Sequence, residues 1–71
     1  MNPTRLLIEI TLKETLDEHW AAWFEGLTLT ALEGGATLLS GEVSDQAVLH
    51  GFLERIRDLN LKLSAVRVEE K

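Results

Sequence analysis

Residues 27–43 read LTLTALEGGATLLSGEV, and the fold prediction for the whole chain is built outward from this stretch. Apolar and polar residues alternate in Leu27–Leu32, the pair Gly34-Gly35 follows, and Ala36–Val43 is expected to be the return strand. Alternation with a period of two is typical of β-strands with one buried face. Consecutive glycines supply the positive φ angles of a tight turn. The stretch therefore predicts a β-hairpin.

The position of the turn sets the register of this hairpin. A three-residue loop at Gly34–Ala36 places Ala31 opposite Leu39 and Leu29 opposite Gly41. In that register the leucines of both strands share one face of the sheet, because side chains alternate between the two faces along each strand.

A strand and a helix are predicted before the hairpin. The first strand is Leu6–Leu12, where apolar residues alternate with Leu7, Glu9 and Thr11. The stretch after it places apolar residues on one stripe of a helix; they are Leu16, Trp20, Trp23, Phe24 and Leu27. Thr15 and Glu18 have the spacing of a capping box at the start of this helix. Gly26 is the residue expected to end it.

A second helix and a last strand are predicted after the hairpin. Ser44 is the expected N-cap, and Asn60 is the expected left-handed residue at the helix end. One helical stripe between them is apolar and consists of Val48, Leu49, Phe52, Ile56 and Leu59. Leu61–Val68 then forms a strand, and Glu69–Lys71 is expected to be a solvated tail.

The predicted order is strand, helix, strand, strand, helix, strand. Two split β-α-β units of this kind form a ferredoxin-like α+β sandwich, in which both helices cover one face of a four-stranded antiparallel sheet. Right-handed crossovers place the first and third strands in the centre of the sheet. Residues 1–71 are expected to form a single domain of this kind.

Composition excludes several classes of function. The net charge of −5 is unsuited to nucleic-acid phosphates and to anionic membranes. The absence of cysteine excludes disulfides and thiolate metal sites, and a reducing cytoplasm is the expected location. The longest apolar run, residues 20–24, is too short for a membrane span or a signal peptide.

The motifs of the chain resemble those of one protein family. Residues 23–30 read WFEGLTLT, and residues 45–51 read DQAVLHG. They resemble the W-F-x-G-L-T and D-Q-A-x-L-H-G motifs of a family of short uncharacterised bacterial proteins. The resemblance implies a bacterial source and brings no activity with it.

The outward face of the second helix is one candidate interaction surface. His50 lies nearly opposite the apolar stripe, and Gln46, Glu54 and Arg57 share its face at spacings of three and four. These side chains form either a recognition patch or an ordinary solvated helix face. Gly51 has a helix-interior cost of about 1 kcal/mol relative to alanine, which indicates close approach of another backbone, from this chain or from a partner.

The sheet face that the helices leave open is the second candidate surface. It is expected to carry both polar and apolar side chains: Leu7, Glu9, Thr11, Thr28, Thr30, Leu32, Leu38, Ser40 and Glu42, together with Val66 and Val68. RNA-binding domains use this face with aromatic and basic residues. Here no strand contains an aromatic residue, and Arg67 is the one basic residue nearby. We expect Leu7, Leu32, Leu38 and Val66 to contact a partner instead.

No constellation of residues predicts catalysis, a cofactor or a metal. No serine stands beside a base and an orienting group, and the spacing of His19 and His50 does not place two imidazoles on one helix face. The helical spacing of Trp20, Trp23 and Phe24 favours core anchors over an aromatic ligand platform.

The sequence therefore predicts a non-enzymatic protein-interaction or self-association module. We expect a homodimer joined through the open sheet face, with Leu38 near its centre, or a complex with another protein. The alternative is a regulatory domain that binds a small ligand, because amino-acid-sensing ACT domains share this order of elements. Such domains commonly bind ligands near the loop after the first strand. Here that loop begins Lys13-Glu14 and lacks the glycine that lets a ligand approach the backbone.

Overall fold

The computed structural model describes residues 5–70, which form an α+β fold of four strands and two main helical elements. In chain order the elements are β1 (Leu6–Leu12), a 3-10 helix (Glu18–Phe24), β2 (Thr28–Ala31), a 3-10 turn (Glu33–Gly35), β3 (Thr37–Val43), α1 (Gln46–Asp58) and β4 (Leu63–Glu70). The predicted α+β class is confirmed.

The strands form one open antiparallel sheet in the order β2-β3-β1-β4. The first and third strands are central, as predicted. β1 pairs along its whole length with β3 on one side and with β4 on the other. The edges of the sheet are therefore β2, which has four residues, and β4, which has eight.

The hydrophobic core lies between one face of the sheet and the helical elements. β1 presents alternate side chains to it, and Ile8, Ile10 and Leu12 are completely buried. Leu39 and Val43 of β3 extend this apolar surface, which is covered by the following helical residues: Phe24, Leu49, Phe52 and Ile56. The period-two pattern of the first strand therefore corresponds to one buried face.

The first helical element differs from the predicted α-helix. It is a 3-10 helix capped by Asp17, whose carboxylate accepts a hydrogen bond of 2.9 Å from the backbone N–H of His19. The predicted capping box does not form, because the Thr15 hydroxyl donates to the carbonyl of Gly35 at 2.8 Å. Gly26, at a φ of 94°, follows the helix as predicted.

This change of helix type reorients the aromatic side chains. Successive residues of a 3-10 helix differ by about 120° instead of about 100°. Phe24 is fully buried and Trp20 is half-buried, whereas Trp23 is 49% exposed. The prediction that Trp23 anchors the core is therefore wrong: Phe24 points to the sheet, and Trp23 lies about 120° away from Phe24 around the helix.

The hairpin forms at Gly34-Gly35, but its predicted register is wrong. The loop is Glu33–Gly35, closed by a hydrogen bond of 2.9 Å from the N–H of Leu32 to the carbonyl of Ala36. Moving the loop by one residue shifts the pairing by two; in this register Leu29 lies opposite Leu39 and Ala31 lies opposite Thr37. A shift of two leaves every side chain on its predicted face, because the period of a strand is two.

Both ends of α1 are defined by hydrogen bonds. The N-cap is Asp45 and not Ser44, because the Asp45 carboxylate reaches the N–H of Val48 at 3.1 Å. Asn60 has a φ of 59° and ends the helix as predicted. The N–H of Asn60 donates to the carbonyl of Arg57, and the N–H of Leu61 donates to the carbonyl of Ile56, both at 3.0 Å. This is the pattern of a Schellman motif.

The last strand begins and ends two residues later than predicted. Glu69 and Glu70 are not part of a solvated tail, because they pair with Leu7 and Leu6 at the start of β1. Lys71, the remaining residue of the predicted tail, lies outside the described residues, as do residues 1–4 of the predicted single domain.

Thr37 connects the loop after β1 to the sheet. Its side chain is 1% exposed, and its hydroxyl donates to the carbonyl of Glu14 at 2.8 Å. The same hydroxyl accepts from the N–H of Leu16 at 3.0 Å. One buried side chain thus supplies partners to two backbone groups that no strand or helix would otherwise satisfy.

Replacing Thr37 by valine should lower the free energy of unfolding by about 2 kcal/mol, because the shape is kept while two backbone groups lose their partner. Urea denaturation followed by circular dichroism measures this change. Thr30→Val is the matched control: Thr30 is exposed on β2, and its replacement should change stability by less than about 0.5 kcal/mol. Equal effects of the two substitutions would contradict the assigned role of Thr37.

Candidate interaction surfaces

The paired part of the open sheet face carries two large apolar side chains, which do not form a patch. Leu7 lies opposite Glu42, and Leu38 lies opposite Thr11. Along β1 the two positions are four residues apart, a separation of about 13 Å. The row between them contains Glu9. The expected contiguous apolar surface is therefore interrupted by a carboxylate.

The remaining groups on this face are small or hydroxyl-bearing side chains and several charged ones. Arg67 lies opposite Glu9, and its Nη2 is 3.4 Å from Oε1 of Glu69. Arg5 Nη1 stands 4.0 Å from Oε1 of Glu42. Alternating charges at the surface of a sheet are typical of a water-facing side.

Leu32 is 38% exposed beyond the end of β2, beside the hairpin loop. It therefore lies outside the paired part of the open face on which it was predicted.

Val66 and Val68 do not lie on the open face, and this prediction is wrong. Val66 is opposite Ile10, and Val68 is opposite Ile8, both of which point into the core. Residues directly opposite one another in an antiparallel pair share a face, so both valines point to the helix side of the sheet. Their side was misassigned because no tight turn connects β4 to its neighbour β1.

The helix side of β4 is nevertheless uncovered. All eight residues of β4 are exposed. Leu63, Val66 and Val68 are 47%, 39% and 41% exposed, although their neighbours on β1 are completely buried. The cause is the placement of α1, which packs closer to β3 than to β4. The core therefore ends in an exposed apolar strip, which we call the β4 strip and which consists of Leu63, Val66 and Val68.

The backbone along the outer edge of β4 also lacks a strand partner among residues 5–70, because β4 pairs with β1 alone. Sheet edges are usually protected by brevity, by a proline, by inward charges or by a bulge. β4 is long, has no proline, and has a register irregularity only at its start, opposite Thr11 and Leu12; its one charge on the helix side is Glu70 at the very end, opposite Leu6. Most of its length is therefore free to pair with another strand.

The outward face of α1 lies where the sequence predicts it. Its four predicted residues are all exposed; they are Gln46, His50, Glu54 and Arg57. No hydrogen bond or ion pair joins these four side chains to one another within the described part of the chain. Beyond its chain neighbours and the nearby backbone of α1, no atom of residues 5–70 lies within 4 Å of where a Cβ on Gly51 would be, so close approach by these residues does not explain the glycine.

The loop after β1 was the expected ligand position in the ACT-like alternative. The N–H of Lys13 donates to the carbonyl of Lys62 at 2.8 Å, and Oε2 of Glu14 accepts from the N–H of Lys62 at 3.3 Å. Beside this loop, a shallow groove of about 360 Å³ separates the first 3-10 helix from β2. Its lining is partly acidic and comprises Leu16, Asp17, Glu18, Ala21, Leu29, Ala31 and Thr37.

The titratable side chains are dispersed. His19 Nδ1 contacts Asp17 Oδ1 at 3.2 Å, and both side chains are largely exposed. In residues 5–70, no group of three histidine or acidic residues is arranged to hold a metal ion. None of the helices in the same range combines the length and the apolar character that crossing a membrane requires.

These features define a small α+β domain with a polar open face and an uncovered edge strand. The chain belongs to the family described as a domain of unknown function (DUF8691), whose model matches residues 7–67. No curated protein matches the chain, and no solved structure matches it either.

Sequence reasoning missed the residues that make β4 distinctive. Leu63 and Val68 were not chosen as partner-contacting residues, and Glu69 was assigned to a tail. A signal was present in the alternation of Val66, Arg67, Val68 and Glu69, which continues the strand pattern through residue 69. The exposure of the β4 strip had no such signal, because it depends on where α1 packs.

His50→Ala should change the free energy of unfolding by less than about 0.5 kcal/mol, because the side chain is exposed. Phe52→Ala should cost about 3–5 kcal/mol, because the ring is 9% exposed and its centroid lies 6.2 Å from that of Phe24. Urea denaturation of both variants tests the assignment of the two faces of α1. A loss for His50→Ala as large as that for Phe52→Ala would contradict it.

Proposed function

We propose that the protein is a non-enzymatic protein-interaction or self-association module that binds another polypeptide along β4. The observation that carries this proposal is the exposure of the β4 strip beside a fully buried central strand. An added strand would cover the strip and would supply partners to the outer backbone groups of β4. Addition of a strand to an open sheet edge is a recurrent mode of peptide and protein recognition.

The β4 edge suits binding better than the open sheet face does. On the open face, Leu7 and Leu38 are separated by the row that contains Glu9. On the helix side, Val66 and Val68 are consecutive residues of one face and continue the apolar surface of Ile8 and Ile10. Contiguous exposed apolar surface is the feature that marks interfaces.

The same proposal includes the finer description of the fold as a ferredoxin-like sandwich. Its support is the arrangement of two split units, β1–3-10 helix–β2 and β3–α1–β4, around the central pair β1 and β3. The first helical element is a short 3-10 helix in place of an α-helix. The proposal also includes a bacterial source, which the motif resemblance implies. It includes a cytoplasmic location as well, which is expected from the absence of cysteine.

A protein partner is favoured over nucleic acid, membrane, metal or substrate by the charges of the chain. The net charge is −5, and on the open face Arg67 lies opposite Glu9 and contacts Glu69. Clustered lysine or arginine is what phosphate binding requires. His50 and the serines are dispersed over exposed positions and strands, which is unsuited to nucleophilic catalysis.

The ACT-like alternative requires that the loop after β1 can bind a small ligand. A ligand there would need free backbone groups, but Lys13 and Leu16 already donate their N–H groups, and the carbonyl of Glu14 already accepts. We therefore prefer the interaction module. An amino acid at 100 times its dissociation constant would add about 2.7 kcal/mol to stability. A thermal-shift screen in which an amino acid stabilises the protein by this amount would favour the alternative.

Val68→Lys should remove binding, because it places a charge in the apolar β4 strip, opposite the buried Ile8. Tagged protein is mixed with its own untagged copy and with a lysate of the source organism, and the retained proteins are identified by mass spectrometry. We expect Val68→Lys to retain at least about tenfold less than the wild type, a loss of about 1.4 kcal/mol.

The matched control is Leu38→Glu, which places a charge at a half-buried position of the open sheet face. It should retain the same proteins as the wild type, and circular dichroism should show that both variants are folded. The proposal is overturned if the wild type retains neither its own copy nor any lysate protein, or if Val68→Lys retains as much as the wild type.

A further inference from the structure

The outer part of β4 carries charges that are complementary to a second copy of the same strand. Arg67 and Glu69 are two residues apart, so both side chains lie on the open face of the sheet, as their partners Glu9 and Leu7 do. Both side chains are largely exposed, 72% for Arg67 and 56% for Glu69. Two antiparallel copies of such a strand can place each arginine opposite the glutamate of the other copy.

We propose that the occupant of the β4 edge is a second copy of this chain, paired antiparallel with the first about a two-fold axis at Val68. This inference rests on the proposed function and specifies its partner. It joins the two sheets into one of eight strands, because each copy contributes four.

The two-fold symmetry restricts the registers that are available. A two-fold axis perpendicular to the sheet keeps the helices of both copies on the same side. Residues that lie opposite one another across the new interface must therefore come from the same face of β4. It follows that the axis passes through a residue position and not between two.

Charge excludes two of these positions. With the axis at Arg67, the two Arg67 side chains lie directly opposite each other, and with the axis at Glu69 the two Glu69 side chains do. Like charges directly opposite one another destabilise an antiparallel pair. The axis at Val68 instead forms two reciprocal Arg67–Glu69 pairs.

The shape of β4 disfavours the positions nearer its start. With the axis at Ala65 or Val66, the paired segment includes Leu63, where the pairing with β1 has its register irregularity. Such irregularities bend a strand and interrupt pairing. With the axis at Val68, the paired segment is 66–70, which lies within the regular part of β4.

The Val68 register also makes continuous rows across the two sheets. On the helix side, Ile8 and Val68 of one copy meet Val68 and Ile8 of the other, so an apolar row connects the two cores. On the open face, Arg67 lies between Glu9 of its own copy and Glu69 of the second copy. Charges of alternating sign therefore run across the interface, which favours this partner and this register.

Charge reversal tests this register. Arg67→Glu and Glu69→Arg each place like charges opposite one another in the homodimer, so each variant alone should sediment as a monomer. Mixed in equal amounts, the two variants restore both opposite-charge pairs. The mixture should therefore sediment at about 16 kDa, twice the 8.0 kDa of one chain.

Sedimentation equilibrium at about 100 μM is suited to the expected affinity, because small interfaces give weak, micromolar-range association. The wild type should be dimeric at this concentration. Arg57→Glu is the matched control, since it reverses an exposed charge on α1, and it should remain as dimeric as the wild type.

A measurement on the wild type alone covers the case in which a variant does not fold. Amide hydrogen exchange should slow at alternate residues of segment 66–70 as the concentration rises, because alternate N–H groups of an edge strand face the added strand. Exchange at β2, the other edge, should not depend on concentration.

Three results would overturn the inference: a wild type that sediments as a monomer, single variants that remain dimeric, or a mixture that remains monomeric. The failure of the inference is distinguishable from that of the proposed function. If the wild type is monomeric but Val68-dependent capture of a different protein persists, the module binds another partner and only the second copy is excluded.

Discussion

The pairing of β1 with a strand on each side is the interaction on which the rest of the structure depends. β1 contributes the completely buried Ile8, Ile10 and Leu12, and its backbone is paired along its full length with β3 and β4. Burial of apolar side chains and pairing of the backbone reinforce each other here, because the core-facing side chains and the paired backbone groups of β1 are both removed from water. β3 and β4 are positioned by this strand, although they are far apart in sequence.

The helical layer is smaller than the sheet that it covers. One element is a 3-10 helix of seven residues, and the other, α1, packs closer to β3 than to β4. Phe24 and Phe52 fill the space over the central strands, while no helix lies over Val66 and Val68. The exposed β4 strip is therefore the consequence of a narrow helical layer and not of an unusual strand composition.

Local patterns predicted the elements of this fold well. Alternation identified the first two strands, the Gly34-Gly35 turn predicted the third as a return strand, and the positive φ angles expected at Gly34, Gly35 and Asn60 are present. The hairpin was misplaced by one loop residue, yet its faces were correct because strand side chains repeat every two residues. The face on which Val66 lies could not be predicted in the same way. The chain reaches β4 through a helix, and a helix does not determine which residues of β4 share a face with those of β1.

The sequence by itself determined the number and type of the strands, the core face of β1 and the end of α1 at Asn60. Each depends on residues close together in the chain, through alternation or a local backbone conformation. Only the tertiary structure decided the 3-10 form of the first helix, in which the Thr15 hydroxyl bonds Gly35 instead of capping a helix. It also decided that Val66 faces the helix side and remains exposed. Both outcomes depend on contacts between residues distant in sequence, and packing alone selects among such contacts.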